Sequence, residues 1–219
     1  MILNRLVELQ AHTVIRKITE TQAEYEFIEN LIESQKPPYP ESGHHYLIKT
    51  PFRYSLPVEP RYSSRFKAPF YTRNCLYAAR EYRTSAYEYV YHWLSERIHI
   101  SGLSQEPQGR THFTVSFEDP DLFDLTSHPD VGKIMDRRHY GPSHRFMESH
   151  PEVNSILYPS CRDPQRGDCV VTFEINTLGK KPLSERSLYL IYEVSQKKCR
   201  IEDPLQKEDP LEIFWSDLC

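Results

Sequence analysis

Short segments of alternating apolar and polar residues constrain the fold of this chain more than any other feature. The clearest one is THFTVSFED at residues 111–119, and the segments at 154–160, 168–175 and 186–195 are also predicted as strands. Alternation with a period of two is typical of β-strands that bury one face. Because no helix follows each strand in regular order, the pattern predicts an α+β fold with a mixed or antiparallel sheet flanked by helices.

The first part of the chain has a different pattern. Six residues between 14 and 32 follow steps of three and four, which places them on one face of a helix: Val14, Ile18, Thr21, Tyr25, Ile28 and Ile32. We predict a helix over residues 3–34 that ends before prolines 37, 38 and 40, because proline lacks the backbone donor that a helix needs. Residues 1–45 would then form an N-terminal helix with a proline-rich linker, and residues 46–219 the main domain. The helix would pack on its own domain or bind a partner.

Several shorter elements complete the prediction. The segments HYLIKT (45–50), RNCLYAA (73–79) and DLFDLT (121–126) are predicted as strands. Thr84 is a candidate N-cap for a helix that runs to about Ile98. The residues 131–141 and 143–149 are predicted to contain short helices.

Charge and cysteine content narrow the class of protein. The 27 basic and 31 acidic residues give a net charge of −4, which gives no support to broad nucleic-acid binding. No apolar run is long enough to cross a bilayer, and the charged N-terminus does not resemble a secretory signal. The five cysteines are an odd set without CxxC spacing, which favours reduced thiols and a cytoplasmic protein. The ten histidines match no zinc motif, so we expect no metal site.

Five polar or aromatic residues suggest a site for a phosphorylated sugar: Arg53, Arg65, Tyr77, Glu88 and, farther along the chain, Ser160. Arginine stays charged and holds phosphate through paired hydrogen bonds. A carboxylate can stabilise positive charge that develops on a sugar during cleavage of a glycosidic bond. The tyrosine offers a flat face, and the serine a hydroxyl that can bind a ribose or an amide.

Each of these residues also has a purely structural interpretation. Glu88 could pair with Arg80 or Arg83, or favour the dipole of its helix. The two arginines could lie on the surface. Tyr77 could belong to the core, since the chain has 15 tyrosines, and Ser160 could be a turn residue.

The order and spacing of four short motifs resemble the RES domain family. The motifs are PFRY at residues 51–54, SRF at 64–66, LYAAREYRTSAYE at 76–88 and LYPSCR at 157–162. The resemblance covers about residues 46–195. The chain departs from it at Ser64 and at residues 68–70, where family members often have glycine, so this loop is where activity is most open to change.

The resemblance implies a fold similar to that of ADP-ribosyltransferases and a role as the toxin of a bacterial toxin–antitoxin pair. Family members degrade NAD, some of them by phosphorolysis, and a small Xre-type antitoxin usually covers the active site. By resemblance we expect an NAD phosphorylase that uses NAD as substrate and phosphate as co-substrate, without a further cofactor. Two alternatives stay open: an ADP-ribosyltransferase that modifies a protein, and a non-catalytic binding protein on the same fold.

The motifs also imply the residues of the site. Catalytic roles fall on Arg53, Glu88, Tyr77 and Ser160, and substrate binding falls on Arg65, Tyr54 and Arg162. Glu88 would stabilise the charged sugar, the arginines would hold the phosphates, and Tyr77 would face the nicotinamide.

Overall fold

One large sheet organises the molecule in the computed structural model, which describes residues 1–8, 19–53, 63–69, 71–100, 106–206 and 209–218. Its strands are β1 Ile2–Glu8, β2 Leu76–Ala79, β3 Gln108–Ser116, β4 Phe123–Asp124, β5 Ser155–Pro159, β6 Asp168–Thr172, β7 Ser184–Glu193, β8 Lys198–Glu202 and β9 Leu211–Phe214. Their order is β4-β5-β6-β2-β1-β3-β7-β8-β9, and β4 and β5 pair in parallel whereas the other neighbours are antiparallel. The predicted α+β class is confirmed.

Helices flank this sheet. They are α1 Gln22–Ser34, α2 Tyr46–Lys49, α3 Tyr82–Arg97, α4 Val131–Ile134, α5 Gly141–Ser149 and α6 Trp215–Leu218. Single 3₁₀ turns occur at Thr50–Phe52, Ile175–Thr177 and Val194–Gln196. None of the helices in the described ranges has the length and apolar character needed to span a membrane.

The helix predicted over residues 3–34 is wrong for its first residues. Residues Ile2–Glu8 form β1, which lies between β2 and β3, and its register with β3 runs from Ile2 opposite Ser116 to Glu8 opposite Arg110. A strand in this place satisfies its backbone groups on both edges, so tertiary pairing decides the structure here. The N-terminal residues thus contribute to the central sheet, while the proposed domain boundary at residue 45 stays a prediction.

The later part of the predicted helix is confirmed as α1. Thr21 caps it: its hydroxyl accepts from the Glu24 amide at 3.2 Å, and the Glu24 carboxylate accepts from the Thr21 amide. The helix ends at Ser34, before the prolines, as expected. Of its predicted apolar face, only Tyr25 is buried, and Ile32 remains 43% exposed. The predicted positions Val14 and Ile18 lie outside the described residues.

The segment HYLIKT, predicted as a strand, instead contains α2. Two of its residues, Leu47 and Ile48, are both buried in the same hydrophobic cluster. Two successive side chains of a strand point to opposite faces, whereas a helical turn can direct both into one core. The packing of this pair therefore favours the helix.

Helix α3 follows β2 and is confirmed, but Thr84 is not its cap. The helix begins at Tyr82 with Glu81 as N-cap, so Thr84 lies inside the first turn and is fully buried. Val90, Trp93 and Leu94 pack against β7, β8 and β9 on one face of the sheet. Burial of each such side chain stabilises the fold by roughly 1.5–3 kcal/mol, and it fixes which side of α3 faces the cavity described next.

Candidate active site

A cavity of about 250 Å³ lies where α3 crosses β1, β2, β5 and β6. Its walls are aromatic and cationic, with one carboxylate. The lining residues are Arg5, Leu6, Ser64, Arg65, Tyr77, Ala78, Ala79, Ser85, Glu88, Tyr89, His92, Tyr140, Tyr158, Arg162 and Cys169. Four of the predicted site residues thus line one cavity, and Ser160 reaches one of them.

Glu88 supplies the carboxylate from the second turn of α3. Its Oε1 accepts a hydrogen bond of 2.6 Å from the Ser160 hydroxyl. The two arginines considered as its structural partners have other carboxylates: Arg80 pairs with Asp168 at 3.0 Å and Arg83 contacts Asp163 at 3.5 Å. Within the described residues the second oxygen of Glu88 has no hydrogen bond, so it remains available to a ligand.

The Ser160 hydroxyl is fully used inside the protein. It donates to Glu88, and it accepts from the amides of Arg162 at 3.0 Å and Asp163 at 2.9 Å. A hydroxyl has one proton to donate and two lone pairs to accept with. The residue is 1% exposed, and in this arrangement its hydroxyl orients the Glu88 carboxylate.

The turn that carries Ser160 is fastened to α3 by a second contact. The buried carboxylate of Asp163 accepts a hydrogen bond of 2.8 Å from Thr84, one helical turn before Glu88. Thr84 and Glu88 lie four residues apart and hence on the same face of α3. Both ends of the 160–163 turn are therefore tied to the helix that carries the carboxylate.

Arg162 is buried against the cavity wall. Its guanidinium lies over the ring of Tyr91 at 3.4 Å and donates to the carbonyls of Leu218 and Arg137, each at 3.2 Å. Only 4% of the residue is exposed. Such stacking and paired donation fix the position of a cation beside Glu88.

Arg65 sits at the tip of a tight turn. The backbones of Ser64 and Lys67 exchange two hydrogen bonds of 3.0 Å, and the turn needs no glycine because neither Arg65 nor Phe66 has a positive φ. The Arg65 guanidinium donates to the Asp136 carbonyl at 2.9 Å and lies 4.9 Å from the centre of the Tyr140 ring. The glycine-poor sequence thus still places a cation in the cavity.

Tyr77 holds this turn with its hydroxyl. It accepts from the Phe66 amide at 3.0 Å and shares a 3.0 Å hydrogen bond with the Ser64 hydroxyl. Burial raises the pKa of Tyr77 well above its usual value, so the phenol stays protonated. The ring lines the cavity while its hydroxyl positions Arg65.

We expect Tyr77→Phe to destabilise the fold by about 1–3 kcal/mol, because the Phe66 amide loses its buried acceptor. The free energy of unfolding in urea measures this loss, and hydrogen exchange at the Phe66 amide should accelerate. Tyr46→Phe is the control, since Tyr46 is 40% exposed on α2 and should change neither quantity. Unchanged exchange at Phe66 in the Tyr77 variant would contradict the positioning role.

Arg53 lies apart from this cavity and is not among its lining residues. It is buried, pairs with Glu33 of α1 at 2.6 Å, donates through Nε to the Pro37 carbonyl and stacks 4.2 Å from the centre of the Tyr39 ring. The structure therefore gives Arg53 contacts that join α1 to the domain. Tyr54, the neighbouring prediction, lies outside the described residues.

The lining residues that were not predicted from the sequence include three that carry a charged or titratable group, Arg5, His92 and Tyr140. Arg5 donates to the Tyr77 carbonyl, and burial lowers its pKa to about 10. The predicted helix concealed it, and the one available signal was a charged residue within the apolar segment ILNRLVE. Desolvation lowers the pKa of His92.

The remaining titratable groups of the wall are neutral. Burial raises the pKa of the Tyr158 phenol and of the Cys169 thiol well above their usual values. Within the described part of the chain, no group of three histidine, cysteine or acidic residues could hold a metal ion. Among the described lining residues, the charged groups are the Glu88 carboxylate and the arginines Arg5, Arg65 and Arg162.

The comparison with known proteins agrees with these features. The model of the RES domain matches residues 37–187 of the 219-residue chain, which includes most of the cavity wall. No curated protein matches the sequence. The match spans well over half of the chain, and Arg65, Tyr77, Glu88 and Ser160 lie within its range. The chain belongs to the RES domain family.

Proposed function

We propose that this protein consumes NAD by cleaving the bond between nicotinamide and ribose, with inorganic phosphate as the acceptor. The observation that carries the proposal is the Glu88 carboxylate, held at 2.6 Å by Ser160 in a cavity lined by arginines and aromatic rings. Aromatic walls suit a nicotinamide ring, and arginines suit a diphosphate. Membership in the RES domain family supports the same substrate.

The proposed reaction breaks one bond and forms one. The electron pair of the glycosidic bond leaves with the nicotinamide nitrogen, which becomes neutral, and positive charge develops on the ribose. The Glu88 carboxylate stabilises that charge, as carboxylates do in glycoside cleavage. A phosphate oxygen then bonds to the anomeric carbon and gives a phosphorylated ADP-ribose.

The other residues prepare this site. Ser160 orients the carboxylate, and Tyr77 holds the turn that presents Arg65. Arg65, Arg162 and Arg5 supply fixed positive charge along the wall. Preorganised charges of this kind need no rearrangement as the reaction proceeds, which is the main way that enzymes stabilise a charged transition state.

The physiological setting follows from the same proposal. An enzyme that depletes NAD acts as a toxin in the cytoplasm, and the family resemblance supports a small Xre-type antitoxin as its partner. Coexpression of the adjacent reading frame, if it encodes a small helix-turn-helix protein, should remove the toxicity. This partner would act by covering the cavity rather than by changing the fold.

Nicotinamide release from NAD tests the proposal. The purified protein should release nicotinamide faster in phosphate than in a phosphate-free buffer of equal ionic strength, and mass spectrometry should detect a phosphorylated ADP-ribose. Release without phosphate dependence would point to water as the acceptor. Labelled ADP-ribose on a macromolecule would instead support a protein-modifying transferase. No release, with no shift of the melting temperature by NAD, would support a non-catalytic protein.

A further inference from the structure

Arg162, which lines the cavity beside Glu88, is a buried cation that uncharged groups hold in place. Its guanidinium donates to the carbonyls of Leu218 and Arg137 and lies 3.4 Å from the centre of the Tyr91 ring. Two carbonyls and a ring fix the position of the cation without neutralising it. Its charge is therefore available to an anionic group that enters the cavity.

The C-terminal helix α6 stands behind two of these three groups. It supplies the Leu218 carbonyl directly, at 3.2 Å from the guanidinium. Its first residue, Trp215, has a ring parallel to that of Tyr91 within 1°, with 6.0 Å between the ring centres. Offset parallel rings at this distance attract each other by about 0.5–1.5 kcal/mol. Trp215 thus limits the position of the Tyr91 ring, against which Arg162 lies.

The position of α6 is fixed by the sheet and by the core. Strand β9, just before the helix, pairs with β8, and the Trp215 amide donates to the Lys197 carbonyl at 2.9 Å. The Leu218 side chain is fully buried in the cluster that contains Val90 and Leu94 of α3. Since α3 also carries Glu88, the C-terminal helix and the carboxylate are built on one core. Residues 198–218 lie outside the range 37–187 that the family model matches.

We propose that Trp215 is a positioning residue of the active site, which acts through Tyr91 to hold Arg162 in place for the substrate. The part played by Arg162 rests on the proposed function, in which it would bind the diphosphate of NAD. The diphosphate keeps its charge during the reaction, because the bond that breaks lies between ribose and nicotinamide. An interaction that is equally strong before and during cleavage affects KM and leaves kcat unchanged.

Steady-state kinetics of nicotinamide release test this role. Trp215→Ala should raise the KM for NAD about tenfold with little change in kcat, the equivalent of one weakened charge-assisted hydrogen bond. Arg162→Met removes the charge and keeps a long side chain, and it should raise KM at least as much. In the double variant, the loss of Trp215 should add nothing further, since it acts through Arg162. Simple addition of the two effects would overturn the proposal.

Controls separate the stacked ring from general packing. Trp215→Phe keeps a ring that can stack on Tyr91 and should have a KM close to that of wild type. Phe214→Ala is the matched control, because Phe214 is the adjacent aromatic residue, 38% exposed, with its ring 5.6 Å from Lys198 Nζ. It should leave KM unchanged. Should Trp215→Ala fail to fold, Trp215→Leu keeps apolar bulk without a flat ring and gives the same test.

NMR of the arginine side chains tests the same role without turnover. The Arg162 guanidinium signal, identified by its absence from Arg162→Met, should carry a ring-current shift from Tyr91. Trp215→Ala should move this signal, whereas Phe214→Ala should not. A signal that stays in place in Trp215→Ala would reject the positioning role. If the wild type releases no nicotinamide, the proposed reaction is rejected, and the NMR result still decides whether Trp215 positions Arg162.

Discussion

Glu88→Gln should lower the rate of nicotinamide release by about 10²–10³, the usual cost of removing one preorganised group that stabilises a charged transition state. Glutamine has the same shape, and its amide oxygen can still accept the hydrogen bond from Ser160. The variant thus removes the negative charge and keeps the contact. We expect kcat to fall while KM changes little, because the charge on the sugar develops only during cleavage. Steady-state kinetics of nicotinamide release would measure both constants.

A matched control lies on the same helix. Glu96 is two turns farther along α3, with 72% of its side chain exposed and a contact of 3.1 Å to Arg97. Glu96→Gln removes the same charge from the same element, and a surface pair of this kind contributes at most about 1 kcal/mol. It should keep wild-type turnover. Comparable turnover in the two variants would mean that Glu88 is not the stabilising carboxylate.

The sequence predicted much of the sheet from short apolar segments. The segments that became β2, β3, β5, β6 and β7 were all predicted as strands, and the structure confirms them. Alternation is clear in β7, where Leu188, Leu190 and Tyr192 are buried, whereas four successive residues of β6 are buried. β1 does not alternate: Leu3 belongs to one core cluster and Leu6 to the other, since both faces of the sheet are covered there. Its apolar residues at Leu3, Leu6 and Val7 match helical spacing equally well. A strand buried on both faces therefore cannot be told from a helix by period alone.

Some residues of the site could be predicted from short motifs, whereas others depend on contacts between distant parts of the chain. The order of short motifs was sufficient to place Arg65, Tyr77 and Glu88 together, and the structure puts them in one cavity. Arg53 and Tyr77 are each 12 residues from Arg65 in the sequence, yet only Tyr77 lines the cavity, and Arg53 contacts α1 instead. Arg5 reached the cavity only through the pairing of β1, which joins residues 75 positions apart, as in Asn4 opposite Ala79. Contacts of that separation leave no signal in a local pattern.

The function of individual groups also depends on hydrogen-bonding capacity, which no motif records. Ser160 was predicted to bind a ribose or an amide, yet its hydroxyl already makes three hydrogen bonds. Tyr77 was predicted to face the nicotinamide, and its hydroxyl holds the Arg65 turn. Both residues therefore act on the site through the groups that they position. Their roles toward a substrate stay predictions.

Gly167→Ala should damage both stability and turnover, because the turn behind Glu88 has no room for a side chain. A Cβ at residue 167 would lie 2.1 Å from Thr84 Oγ1 and 3.2 Å from Asp163 Oδ2. Since real Cβ atoms do not approach so closely, the turn must move and break the 2.8 Å hydrogen bond between Thr84 and Asp163. Forcing one methyl group into a packed region costs about 1–3 kcal/mol. Urea unfolding would measure this loss.

The rate of nicotinamide release should also fall in Gly167→Ala, because the same turn positions Ser160. The Gly167 carbonyl accepts from the Ser160 amide at 2.8 Å, so a shift of the turn displaces the hydroxyl that orients Glu88. Displacing a catalytic group by about 1 Å, even through a mutation far from the reacting atoms, can lower the rate by about 10². We therefore expect a lower kcat in a protein that still folds, measured as nicotinamide release below the unfolding transition.

Two further variants decide whether the clash is the cause. Gly132→Ala adds the same methyl group where no atom lies within 4 Å, so it should leave the stability unchanged. Thr84→Ala removes the hydroxyl that the new methyl group would meet, and it should recover part of the stability lost in Gly167→Ala. Turnover should not recover, because the contact between Thr84 and Asp163 is then absent as well. If the effects of Gly167→Ala and Thr84→Ala on the free energy of unfolding simply add, the clash with Thr84 is not the cause of the loss. The proposed link from this turn to Glu88 is then wrong.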